Sequence, residues 1–152
     1  MADTYCEIIS SLRALGSEEK SRHLSGFFKT GEGQYGYGDR FLGLPVPLTR
    51  GVAKSHKAAA FETVGGLLNS EWHEARLCAL LIMVEKMRRA KADEAKRIFD
   101  MYLANTARIN NWDLVDLSAP QVVGAYLIDK PRDVLYRLAA STLLWDNRIA
   151  IA

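Results

Sequence analysis

Residues 70–90 run without a glycine or a proline, and within them residues 77–84 are apolar without interruption. The spacing predicts one long helix there, with Ser70 as its N-cap and Glu71 and Glu74 in its first turn, where negative charge complements the helix end. A helix that is apolar all round must be covered on more than one side. The rest of the chain therefore has to supply other helices to lie against it, and its pattern does so. Tyr5, Ile8, Ile9, Leu12 and Leu15 form a helical stripe that Gly16 ends, and Ser17 is placed to cap a helix over 18–28. Residues 30–47 read as irregular, with glycines at 31, 33, 36, 38 and 43 and prolines at 45 and 47. Further helices are expected over 48–57, 61–68 and 92–107. Asn110 or Asn111 caps a short helix through Leu117. Ser118-Ala-Pro-Gln121 has the form of a capping box, with Pro120 near the first turn of a helix to about residue 128. Pro131 and Asp133 open the last helix, through Leu144 and beyond. No segment alternates in the manner of a strand, so the expected fold class is all-α.

At 152 residues the chain is the size of one domain. Apolar residues make up 49% and charged residues 25%, which excludes disordered and collagen-like classes. No apolar run approaches the roughly 18 residues a membrane span needs. Residues 1–10 carry Asp3 and Glu7 and lack the basic and apolar regions of a signal peptide. Cys6 and Cys78 cannot build a disulfide framework, so reduced thiols and a cytoplasmic location are expected. A net charge of +2 leaves any case for nucleic acid to the distribution of charge.

Three tryptophans echo one another. Trp72-His73-Glu74-Ala75-Arg76, Trp112-Asp113-Leu114-Val115-Asp116 and Trp145-Asp146-Asn147-Arg148 each set a tryptophan near a helix start, a polar residue next and a charged one three or four later. The spacings, 40 and 33 residues, fit stacked helix pairs of the HEAT type. Equivalent positions of successive repeats line one surface, which would set Arg76, Asp116 and Arg148 along a single face. The competing reading is that three tryptophans simply fill a core. The closing Ile149-Ala-Ile-Ala152 is apolar where a solenoid carries a polar cap, so a partner or further repeats are expected to cover it.

Several motifs point away from cofactors. Gly31-Glu-Gly-Gln-Tyr-Gly36 spells the dinucleotide fingerprint, but a helix precedes it and a proline-containing segment follows. Tyr35 and Lys29 in that loop are candidates to lie against a phosphate backbone. His23, His56, His73, Cys6 and Cys78 show no metal-ligand spacing, so no metal and no cofactor are expected. Basic residues cluster at Arg50, Lys54, His56 and Lys57, and again at Arg88, Arg89, Lys91, Lys96 and Arg97. Solvated helix ends and phosphate contacts both account for such runs.

The segment Ile109-Asn-Asn-Trp112-Asp-Leu-Val-Asp116 carries the most chemistry. Trp112 and Asp116 stand four apart, stacked on one helical face. Burial explains the tryptophan, and placement near a helix N-terminus explains the aspartates. A carboxylate one turn from an indole face is also a site for positive charge, since the ring attracts a cation and the carboxylate adds to it as water is excluded. Arg148 follows Asp116 by 32 residues, about one repeat, and is placed to hold that carboxylate or a phosphate.

With these residues in view, a family resemblance emerges. Phe28-Lys-Thr-Gly-Glu-Gly-Gln-Tyr35, Phe41-Leu-Gly-Leu-Pro-Val-Pro47, His73-Glu-Ala-Arg76, Asn110-Asn-Trp-Asp-Leu-Val-Asp116 and Trp145-Asp-Asn-Arg148 follow in order along the whole chain. Together they resemble the DNA alkylation repair enzymes of the AlkD type. The resemblance implies a right-handed superhelix of HEAT-like helix pairs, seen here without the family's C-terminal repeats. It implies a glycosylase that removes positively charged N3- or N7-alkylated purines from duplex DNA, with Trp112, Asp116 and Arg148 as the catalytic positions. Arg50, Lys54, Arg76, Arg88, Arg89, Lys96, Arg97 and Tyr35 are the expected DNA contacts. The alternative is a non-catalytic helical scaffold that binds DNA or protein.

Overall fold

The computed structural model describes residues 4–28 and 40–151. All regular structure among them is helical, with a single isolated bridge between Arg40 and Trp72. The expected all-α class is therefore observed. No helix among the described residues is long and apolar enough to cross a membrane. The chain forms two compact units, Met1–Ile82 and Met83–Ala152.

In the first unit α1 (Tyr5–Leu15) starts at Thr4, whose hydroxyl accepts from the Glu7 amide at 3.2 Å, and buries Ile8 and Leu12. It packs on α3 (Val46–Ser55) and α4 (Phe61–Leu68). Between α1 and α3 comes α2 (Glu18–Phe27). The segment 40–44 returns to the start of α5 (His73–Arg89) and is held there by one buried carboxylate. Glu74 accepts from the amides of Leu42 at 2.8 Å, Gly43 at 3.0 Å and Leu44 at 3.4 Å. Gly43 has a φ of +88°, and an added Cβ would stand 2.0 Å from the Ser17 carbonyl oxygen, so only glycine fits. Phe41 stacks on Phe28 and on His73, at 5.3 Å and 4.6 Å between ring centres, and Phe28 and His73 meet at a tilt.

The apolar run 77–84 is buried throughout, as a helix covered on several sides must be. Cys78 lies within it, and burial pushes its thiol up to about 12. Cys6 is exposed. A disulfide thiol reagent at pH 8 is accordingly expected to titrate Cys6 in the native protein and Cys78 only after denaturation, since the thiolate is the reactive form.

The second unit contains α6 (Ala92–Ala104), a 3-10 turn at Thr106–Arg108, α7 (Trp112–Asp116), a π-helical turn at Pro120–Gly124 running into α8 (Ala125–Leu127), α9 (Asp133–Ala139) and α10 (Leu144–Ile151). Two local expectations change. The capping box at Ser118 does not form. The Ser118 hydroxyl donates back to the Leu114 carbonyl at 2.5 Å and accepts from the buried Tyr102 hydroxyl at 2.8 Å, so it is committed before it can cap. The last helix also divides. α9 closes on its own amides, Ala140 donating to the Tyr136 carbonyl and Ser141 to the Leu138 carbonyl, and the Asn147 side chain donates to the carbonyls of Leu138, Ala139 and Ser141 from α10, which starts afresh at Leu144.

Candidate active site

Asn111 builds the site from below. It is fully buried in an extended conformation, and its side chain accepts from the Trp112 amide at 2.8 Å, so the five-residue α7 begins at the tryptophan. Leu114 and Val115 turn inward and are buried. Four residues after Trp112, on the same side of the helix, Asp116 turns outward. The two aspartates of this helix thus have opposite surroundings, with Asp113 buried and Asp116 exposed.

Helix α10 packs against α7 and brings Arg148 to Asp116. Nε donates to Oδ1 at 2.7 Å and Nη2 to Oδ2 at 2.6 Å, a two-bond pairing in which one edge of the guanidinium covers both carboxylate oxygens. The side chains remain 40% exposed for Asp116 and 44% for Arg148. The hydrogen bond from Arg148 is the main reason the Asp116 carboxyl is held below its ordinary range; burial opposes it. Arg148 is pushed up in return, chiefly by the same bond. The pairing uses Nε and Nη2, so the Nη1 corner of the guanidinium points away from the carboxylate.

The tryptophan echo extends to burial. The residue after each tryptophan, His73, Asp113 and Asp146, is buried. The expected common face of Arg76, Asp116 and Arg148 is observed for the last two. Arg76 is buried, and its Nη1 donates to the Ser70 carbonyl at 3.1 Å, which ties the approach to α5 rather than offering the guanidinium to solvent. Arg50 and Lys54 are exposed on α3. Arg88, Arg89, Lys96 and Arg97 are exposed too, with Arg88 bonded to Glu85 at 3.0 Å and Lys96 to Asp100 at 2.6 Å. Tyr35 and Lys29 lie outside the described residues. Among the described residues no three His, Cys, Asp or Glu side chains gather as metal ligands. Asp146 and Asn147, whose side chains shape the approach to Arg148, stand in the sequence echo without a role; the polar residue that follows each tryptophan was the available signal for Asp146, and nothing marked Asn147.

What α7 and α10 display is a carboxylate, a guanidinium and an indole on short helices of an all-α protein, a constellation suited to meeting charge at a surface. The sequence model of the family described as DNA alkylation repair enzyme matches residues 8–152, and the chain belongs to that family. Neither a curated protein nor a solved structure matches it.

Proposed function

We propose that the protein is a DNA glycosylase that excises cationic N3- or N7-alkylated purines from duplex DNA, with Asp116 as its electrostatic catalyst. The paired, solvent-reachable Asp116 and Arg148 carry this reading. A surface that only binds phosphates gains from a carboxylate no more than the orientation of Arg148, whereas breaking the bond from sugar to a cationic base is helped directly by a negative charge beside the sugar. An alkylated purine already carries positive charge and leaves without a proton, so a strong general acid is unnecessary. Positive charge develops on the sugar, and a carboxylate fixed in advance stabilises it without reorganising. Asp116 also orients the water that completes hydrolysis. Trp112 turns its ring face to the cationic nucleotide. Arg148 keeps the carboxylate ionised and offers Nη1 to a backbone phosphate.

Release of 7-methylguanine or 3-methyladenine from methylated duplex DNA tests the reading; binding without base release would favour the scaffold. The basic side chains Arg50, Lys54, Arg88, Arg89, Lys96 and Arg97 take phosphates in this proposal. Log affinity for a short duplex then falls linearly with log salt, by about 0.9 per phosphate contact. Affinity that ignores salt between 50 and 200 mM, a range in which a protein with six to ten phosphate contacts loses about 10³–10⁵-fold, removes those residues from the interface. Arg76 is left out of the set because of its burial.

A further inference from the structure

We infer that Asn147 is a positioning residue whose side chain, by fastening α10 to the end of α9, sets where Arg148 stands against Asp116. The inference rests on the proposed catalytic role of that pair. Neither member is enclosed, since the side chains are 40% exposed for Asp116 and 44% for Arg148. An exposed ion pair gains little by itself against the entropy of holding two flexible side chains, and α10, at eight residues, is too short to be stable alone. The geometry of the pair therefore depends on where the backbone of α10 is placed.

Three consecutive residues divide that task. Asp146 is buried and accepts from the Ser141 hydroxyl at 2.8 Å through Oδ2, while the same hydroxyl oxygen accepts from the Leu143 amide at 3.1 Å. Asn147 donates through Nδ2 to the carbonyls of Leu138 at 2.9 Å, Ala139 at 3.0 Å and Ser141 at 3.1 Å. Two hydrogens serve three acceptors, so at least one is shared. The first two are carbonyls at the end of α9, where helical donors run out, and the third lies in the turn just past it. Arg148, the next residue, then reaches across to α7. A helix can be closed by its own following residues, as α1 is when the Gly16 amide donates to the Arg13 carbonyl. α9 is closed in the same way, by the Ala140 amide on the Tyr136 carbonyl and the Ser141 amide on the Leu138 carbonyl. Asn147 adds a tie that crosses from α10, and it is joined by one peptide bond to Arg148, so any slip of α10 along α9 moves the guanidinium with it.

The test uses the full chain with its aspartate carboxyls labelled with carbon-13, and follows the Asp116 titration by NMR alongside single-turnover base release. Asn147→Ala is expected to stay helical by circular dichroism, to move the Asp116 midpoint up toward the ordinary carboxylate range, and to slow base release by up to about 10²-fold. A residue that only stabilises the fold would leave the midpoint of the folded protein where it is. Asn147→Leu fills the same space without a donor and carries the same readout if the alanine variant loses helix. Asn147→Ser keeps one donor and is expected to restore part of both effects. An Asp116 midpoint unchanged in every folded variant overturns the inference. Unchanged base release in Asn147→Ala, with Asp116→Asn slow, overturns it and leaves the proposed function standing. If Asp116→Asn is as fast as the parent, the proposed function fails instead, and the titration still decides whether Asn147 places Arg148.

Discussion

Asp116→Asn is expected to lower excision of 7-methylguanine from methylated duplex DNA by about 10²–10³-fold, or roughly 3–4 kcal/mol of transition-state stabilisation. Asparagine keeps the shape and removes the charge that faces the developing cation. DNA affinity is expected to hold or rise, because an anion leaves a surface that meets phosphates. The pH dependence has a definite sign. Arg148 lowers the Asp116 pKa in the folded protein. The charged pair therefore persists while pH falls through the ordinary aspartate range, and is lost only as pH passes the lowered value. The acid limb of excision should lie below the ordinary aspartate pKa in the parent and move up in Arg148→Ala. The pair's contribution to stability follows the same window and is small, about 0.2–1 kcal/mol for groups this exposed. An Asp116→Asn variant that excises at the parent rate would remove the carboxylate from the mechanism.

Glu74→Gln is expected to destabilise the first unit by about 3 kcal/mol, read as a lower urea midpoint with helical content intact in the absence of denaturant. The two oxygens of Glu74 accept from three successive amides, those of Leu42, Gly43 and Leu44. Glutamine offers one oxygen and turns an NH2 group toward the remaining donor. A buried donor left unsatisfied costs about 1–3 kcal/mol, and bonds to a charged acceptor are the stronger kind. Gly43 sits in a positive-φ conformation close to Ser17, and its amide is one of the three that Glu74 holds. Glu74 belongs to the first unit and the Asp116 pair to the second, so base release per folded molecule is expected to stay near the parent's. A change under 0.5 kcal/mol would mean that the segment 40–44 is held by its ring contacts instead.

The helices were legible in the sequence because each carries its own evidence. The stripe from Tyr5 to Leu15, the unbroken apolar run 77–84 and the asparagine before Trp112 are local signals, and local geometry sufficed to read them. Boundaries failed where a distant residue entered the local hydrogen bonding. Ser118 reads as a cap, but Tyr102, sixteen residues earlier, meets its hydroxyl. The segment opened by Pro131 and Asp133 reads as one helix through Leu144 and beyond, but the chain turns at Ala140 and Ser141, and Asn147 reaches back to the carbonyls of Leu138 and Ala139 across the break. The candidate site split in the same way. Trp112 and Asp116 share a face through the helical repeat alone, so their order along the chain determined it. Repeat spacing suggested Arg148 as a neighbour and Arg76 as an equal, and only folding separated them. Arg148 pairs with Asp116 at the surface, while Arg76 is buried against carbonyls beside its own helix. The side-chain pattern determined which residues share a helix face. Which guanidinium reaches a carboxylate depended on helix packing, because that contact joins residues 32 apart.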